Sequence, residues 1–196
     1  MRELSLHILD ILQNSLAAGA TLVELVIEED LPADRLTITI RDNGRGMTEE
    51  QLAHVTDPFF TTRKTRKIGL GIPLFKAAAE RSNGDLTIMS QPGVGTTVAA
   101  TFQHSNIDRA PLGDMVGTLL TVILNGACEL RYGHRVVWGR RVDKETRRRG
   151  DEETSEFTLD KAEIKAELED VPLTHPDVRR WLQAFIAEGE ATLSNE

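Results

Sequence analysis

The sequence predicts an α/β protein, in the α+β sense of a two-layer sandwich on a mixed sheet, with a small α+β annex at its C-terminal end. Three observations predict it. Apolar residues recur at helical spacing from Leu4 to Leu16, while paired alternating runs, Thr21 to Ile27 with Leu36 to Ile40 and Leu86 to Ser90 with Thr96 to Phe102, flank a second helical stretch. The charge balance also shifts after His104, where residues 105–196 hold 13 basic and 18 acidic side chains against 10 and 13 before. The boundaries read from this are 1–104 for the first unit and 105–196 for the annex.

Taken in order, Leu4, Ile8, Ile11, Leu12 and Leu16 line one face of a helix that Gly19 stops. Leu31-Pro32-Ala33-Asp34 supplies the turn of the first hairpin, and Asp42-Asn43-Gly44-Arg45-Gly46 ends its second strand. Thr48-Glu49-Glu50-Gln51 fits a capping box, in which hydroxyl and amide satisfy two backbone N–H groups, so a short helix runs to about Val55. Phe59 to Ile68 is a loop carrying Arg63, Lys64, Arg66 and Lys67, and Gly69-Leu70-Gly71 leads from it into a helix ending near Asn83-Gly84. Gln91-Pro92-Gly93-Val94-Gly95 turns the second hairpin. Beyond His104 the reading is a helix from Gly113 to Leu124, a strand from Glu129 to Trp138, and a solvated mixed-charge loop from Arg140 to Glu156. A short strand at Phe157 to Leu159, a helix capped by Asp160 and a last helix from Pro176 follow. Val178, Trp181, Leu182, Phe185 and Ile186 share a face of that last helix, and Trp181, Leu182 and Phe185 suit either the core or a partner surface, with the core expected. Leu112 to Leu124 suits either the core or a dimer seam, so a homodimer is left open.

Composition bounds the function. A formal net charge of -8 gives no electrostatic reason to bind nucleic acid unspecifically, so any anionic ligand must be held by a local site. Cys128 is the single cysteine and cannot form an internal disulfide, which favours a reducing compartment. The N-terminal apolar stretch before Ala17-Ala18-Gly19-Ala20 is interrupted by His7, Asp10, Gln13 and Asn14, which argues against an export signal. Val116 to Cys128 is shorter than the ~20 residues of a bilayer span. The expectation is a cytoplasmic protein without a membrane role.

Four segments carry candidate chemistry. Asp10 and Asn14, four apart, share one helix face; they form either a wet polar face or a carboxylate for water beside a hard oxygen ligand for Mg²⁺. Asp42-Asn43-Gly44-Arg45-Gly46-Met47 is either an ordinary turn or a place where glycines admit a flat ligand and a carboxylate accepts from an exocyclic amine. Asp57-Pro58-Phe59-Phe60-Thr61-Thr62-Arg63 leads into the basic loop. Gly69-Leu70-Gly71 before a helix offers backbone N–H groups and a helix dipole to phosphate oxygens.

The ordered set of Asn14, DNGRGM from Asp42, DPFFTTR from Asp57, GLGI from Gly69 and GVGTTV from Gly93 resembles the N, G1, F and G2 boxes of the GHKL ATPases, which include DNA gyrase, Hsp90, histidine kinases and MutL. The match covers roughly residues 4 to 103 and implies the Bergerat ATP-binding fold with ATP and Mg²⁺ as ligands. By that resemblance Asn14 corresponds to the Mg²⁺-coordinating asparagine, and Asp10 stands where many members have the glutamate that activates water. Asp42 corresponds to the aspartate that accepts from the adenine amino group, with Gly44 and Gly46 shaping the pocket and Thr96 assisting base recognition. Arg63 and Lys64 fall in the segment that becomes the ATP lid, Lys67 stands where many histidine kinases have the first glycine of GxGxG, and Gly69 and Gly71 correspond to the phosphate-binding glycines.

Asn14 to Thr21 resembles the MutL form of the N box, whereas DPFFTTR, GLGI and GVGTTV resemble a histidine-kinase catalytic domain, and the short lid favours the kinase branch. With five residues before Leu6, the expectation is a form without the dimerisation helices and phosphoacceptor box of an ordinary histidine kinase. The resemblance implies a stand-alone Mg-dependent ATPase or kinase that regulates or phosphorylates a separate protein partner. Two alternatives stand beside it: a module that binds ATP without chemistry, prompted by Asp10 in place of glutamate, and a MutL-like repair ATPase.

Overall fold

The computed structural model describes residues 3–57, 70–125, 128–142 and 149–193. The order of elements is α1 (Leu4–Ala17), β1 (Leu22–Asp30), β2 (Arg35–Asp42), α2 (Glu49–His54), α3 (Gly71–Arg81), β3 (Leu86–Gln91), β4 (Gly95–Gln103), α4 (Met115–Leu124), β5 (Glu129–Val142), β6 (Arg149–Asp160), α5 (Lys161–Leu168) and α6 (Pro176–Ala191). The six strands form one mixed sheet in the order β3-β4-β2-β1-β5-β6. β1 runs parallel to β5, and every other neighbouring pair is antiparallel.

Strand alternation decides which face is covered. Val23, Leu25 and Ile27 of β1, Leu36, Ile38 and Ile40 of β2, and Val98, Ala100 and Phe102 of β4 are buried, whereas Val26 is 40% exposed on the opposite face. The helices α3, α1, α4 and α6 touch one another in that order across the buried face. This is a two-layer sandwich. Leu4, Ile8, Ile11 and Leu12 of α1 are fully or almost fully buried, each contributing about 1.5–3 kcal/mol through area removed from water. The apolar face of α4, with Met115, Leu119, Val122 and Ile123, lies in the same core.

The C-terminal half supplies β5 and β6 to the sheet of the N-terminal half, through the long parallel pairing of β1 with β5. The segment before α4 also returns to α1, where the N–H groups of Leu4 and Ser5 donate to the carbonyls of Pro111 and Leu112. Those carbonyls satisfy two orphan donors of a helix whose N-cap, Glu3, makes no side-chain cap.

The mixed-charge stretch expected as a loop between Arg140 and Glu156 is mostly strand. β5 continues to Val142 and β6 begins at Arg149, with residues 143–148 outside the described part. The reason is visible in the register, which pairs β6 with β5 from Arg131 opposite Asp160 to Val142 opposite Arg149. A ladder held by main-chain hydrogen bonds needs no apolar face of its own. Glu153 and Thr154 are exposed, and apolar alternation begins only at Phe157 and Leu159, where helices cover the sheet.

α6 is anchored by Val178, Leu182 and Ile186, and by a buried polar network. His134 on β5, 3% exposed, holds Glu190 of α6 through Nδ1 at 3.0 Å and Glu29 of β1 through Nε2 at 3.0 Å. The Tyr132 hydroxyl donates to the other Glu190 oxygen at 2.7 Å, and His104 Nε2 lies 2.6 Å from the other Glu29 oxygen. Trp181 and Phe185 depart from the core expected for them: they are 44% and 36% exposed and stack on each other, while Leu182 alone of that trio is buried. Among the described residues no helix is long and apolar enough to cross a membrane.

Candidate functional site

The site is built where the C-terminal turn of α1, the end of β2 and the start of β4 meet. Asp42 is the last residue of β2, and its register partner across the ladder is Thr96 on β4. Its carboxylate is held at both oxygens: Oδ1 accepts the Gly44 N–H at 2.9 Å and Oδ2 accepts the Ser15 hydroxyl at 2.7 Å. Ser15 is 2% exposed and follows Asn14 on α1, so the helix that carries Asp10 and Asn14 also orients Asp42. Each carboxylate oxygen keeps a further lone pair for a ligand donor.

The loop after Asp42 is pinned on both sides. Asn43 Oδ1 accepts the N–H groups of Thr21 and Leu22, each at 2.9 Å, and its Nδ2 donates to the Thr21 hydroxyl, so Asn43 ties the end of β2 to the start of β1. The Arg45 N–H donates to the Ala18 carbonyl, and the Arg45 carbonyl accepts from Gly93 in the turn between β3 and β4. Gly46 has φ +67, and a β-carbon there would lie 2.0 Å from the Gln91 carbonyl oxygen; no side chain fits between loop and turn. A β-carbon on Gly44 would meet Asp42 Oδ1 at 2.9 Å and the Ala18 β-carbon at 3.0 Å. Close backbone approach thus requires glycine at Gly46, while Gly44 is closely packed by the side chains of Asp42 and Ala18.

On the other side, α3 begins against α1. A β-carbon on Gly71 would lie 3.2 Å from that of Asp10 and 3.5 Å from Asp10 Oδ2, so the N-terminus of α3 sits directly against the Asp10 carboxylate. Leu70, the N-cap of α3, offers no side-chain cap, and Pro73 has no N–H to satisfy. One turn deeper, His7 stacks on Phe75 of α3 with ring centroids 5.4 Å apart. Burial holds its pKa down to about 4, so the ring is neutral, and its Nδ1 has no hydrogen-bond partner among the described residues.

The structure therefore sets Gly71 against Asp10, on the helix that also carries Asn14, and sets Asp42 beside Gly44 and opposite Thr96, with Ser15 of that helix bonded to Asp42. Arg63, Lys64, Lys67 and Gly69, with most of DPFFTTR, lie outside the described residues. Sequence reasoning missed Ser15 and Ser90. Ser15 carried a signal, being a polar residue in the apolar stripe of Ile8, Ile11 and Leu12; Ser90 on β3 carried none, because its partners are Met47, Gly95 and Thr96 on other strands and loops.

Residues 2–106, just over half of the chain, match the family described as histidine kinase-, DNA gyrase B-, and HSP90-like ATPase. The chain belongs to this ATPase family. Among curated relatives of this ATPase domain, sporulation kinase E of Bacillus subtilis is 36% identical over 72 residues, covering 37% of this chain and 10% of the kinase. The tetrathionate sensor histidine kinase TtrS of Salmonella typhimurium is 33% identical over 101 residues, covering 50% of this chain and 17% of that protein. The sensor histidine kinase YkoH of Bacillus subtilis is 34% identical over 74 residues, 35% of this chain and 16% of the kinase. The ATPase chain thus spans a small part of these relatives. Among solved structures, the N-terminal domain of a DNA repair protein superimposes with a TM-score of 0.51 at 13% identity, covering 81% of this chain and 53% of that one. At that identity the likeness concerns the fold alone.

Proposed function

We propose that this histidine-kinase-like ATPase domain binds Mg-ATP between α1, the DNGRGM loop and the N-terminus of α3, and uses it to regulate or phosphorylate a separate protein partner. The observation that carries the reading is Asp42, whose two carboxylate oxygens are fixed by Ser15 and Gly44 and whose ladder partner is Thr96. A carboxylate so held accepts from an exocyclic amine such as that of adenine. From there α1 leads back to Asn14 and Asp10, and Asp10 faces the start of α3, where backbone N–H groups and the helix dipole favour phosphate oxygens.

The donor set fits magnesium in the manner usual for nucleotides. Among the described residues no cluster of three or more His, Cys, Asp or Glu forms a protein cage, and an amide oxygen from Asn14 beside Asp10 is the hard, sparse set that Mg²⁺ takes when phosphates and water complete its shell. Bound there, the ion would neutralise phosphate charge during transfer. Asp10 then orients or deprotonates the attacking water or partner hydroxyl, and Gly71 leaves the phosphate end room to approach it.

Calorimetry with Mg-ATP tests the reading: wild type binds and Asp42→Asn, which turns an acceptor edge into a mixed one, loses most of the affinity. Absence of binding by wild type, or equal binding by Asp42→Asn, refutes it. A second reading, a module that binds ATP without chemistry, draws on the one-methylene-shorter reach of Asp10 relative to glutamate. Phosphate release separates the two. A clear loss in Asp10→Ala supports catalysis, and equal near-zero rates in both proteins support the module.

A further inference from the structure

We infer that Ser90 is a positioning residue for recognition of the nucleotide base, acting through Thr96. This rests on the nucleotide reading above. The Ser90 hydroxyl joins three groups from two segments, the DNGRGM loop and β4: it accepts the Met47 N–H at 2.9 Å, and it lies 3.0 Å from the Gly95 carbonyl and 2.9 Å from the Thr96 hydroxyl. Met47 closes the DNGRGM loop, and Gly95 and Thr96 open β4, so one side chain fastens the loop to the strand that faces Asp42.

Proton counting gives the pair two arrangements. Ser90 has one hydroxyl proton, and the Met47 N–H already occupies one of its lone pairs. When Ser90 donates to the Gly95 carbonyl, Thr96 can donate its own proton to Ser90 and offers only lone pairs elsewhere. When Ser90 donates to Thr96 instead, the Thr96 proton is released toward a ligand acceptor. A base whose amino group meets Asp42 carries an acceptor ring nitrogen beside that amine in adenine, which is the partner the second arrangement suits. Ser90 thereby decides whether Thr96 presents a donor or an acceptor, without itself touching the base.

The test is a double-mutant cycle on the whole chain, with Mg-ADP as the probe in calorimetry and thermal unfolding without nucleotide as the check on folding. Ser90→Ala is expected to weaken Mg-ADP binding about tenfold, as for a lost hydrogen bond in a partly buried site, and Thr96→Val by a similar factor. The double variant is expected to lose clearly less than the product of the two single losses, because both remove the same arrangement. Ser90→Thr, which keeps the hydroxyl, restores binding to within a few-fold of wild type. Unchanged binding by Ser90→Ala, full multiplication of the two losses, or failure of Ser90→Thr to rescue overturns the inference while leaving the nucleotide reading intact. Absence of binding by wild type overturns both. If Ser90→Ala does not fold, Ser90→Cys, near in volume and a weak hydrogen-bonding group, takes its place in the same cycle.

Discussion

Replacing His134 with glutamine should flatten the alkaline side of this protein's stability curve. His134 is 3% exposed and faces a carboxylate oxygen at each ring nitrogen, Glu190 at 3.0 Å and Glu29 at 3.0 Å. Only the imidazolium has a proton for both. Burial by itself disfavours that charge, but the hydrogen bonds and negative charges of Glu190 and Glu29 outweigh it and push the pKa up from 6.5 to about 9. The folded protein therefore keeps a proton that the unfolded chain releases from pH 6.5 upward. Stability from this source is fully present below pH 6.5 and is lost as the pH rises through about 9, with a slope of about 1.4 kcal/mol per pH unit and a total of about 3 kcal/mol. Urea unfolding of wild type and His134→Gln at several pH values between 6 and 10, on the order of the window set by those two pKa values, measures the difference. Wild type should lose about 3 kcal/mol more than the variant across the window, and other groups that titrate there, such as the buried Cys128 with its raised pKa, cancel in the comparison. Parallel pH curves for the two proteins would refute the reasoning.

Other expectations follow from the same geometry. His7 has the opposite sign: burial lowers its pKa from 6.5 to about 4, so wild type should lose on the order of 3 kcal/mol as pH falls from 6.5 to 4, and His7→Phe, which keeps the stack on Phe75, should remove that loss in acid unfolding curves. Ser15→Ala takes away the donor at Asp42 Oδ2 and should weaken adenine nucleotide binding about tenfold in calorimetry, with unchanged affinity counting against the orienting role. Gly46→Ala forces a β-carbon toward the Gln91 carbonyl at φ +67, so a thermal melt should show a loss of about 1–3 kcal/mol or more; an unchanged melting point would mean that the loop does not seat as described.

Much of the first half was legible because its signals are local. Helical spacing found α1, alternation found β1, β2, β3 and β4, and Thr48 with Gln51 forms both hydrogen bonds of the expected capping box. Motif order led to the ATPase family, and Gly46 of DNGRGM proved to be a place where backbone meets backbone. The second half was less legible where structure came from pairing rather than periodicity. β6 joins β5 through main-chain pairing, and only its end at Phe157 to Leu159 carries an alternation that the sequence announces. Trp181 and Phe185 show the converse, since a helix face read as apolar puts Leu182 inward and leaves its two aromatics half-exposed on each other.

The amino-acid sequence by itself determined the local elements, the order of the nucleotide motifs and the family they belong to, because helix spacing, strand alternation and turn chemistry act over a few residues. Tertiary structure alone decided which side chains serve those motifs. Ser15 reaches Asp42 across 27 positions, Ser90 reaches Met47 across 43, and Glu29 meets His134 across 105. Contacts of that separation depend on strand order and register, set when one face of the whole sheet is buried under the helices, and no short window of sequence encodes them.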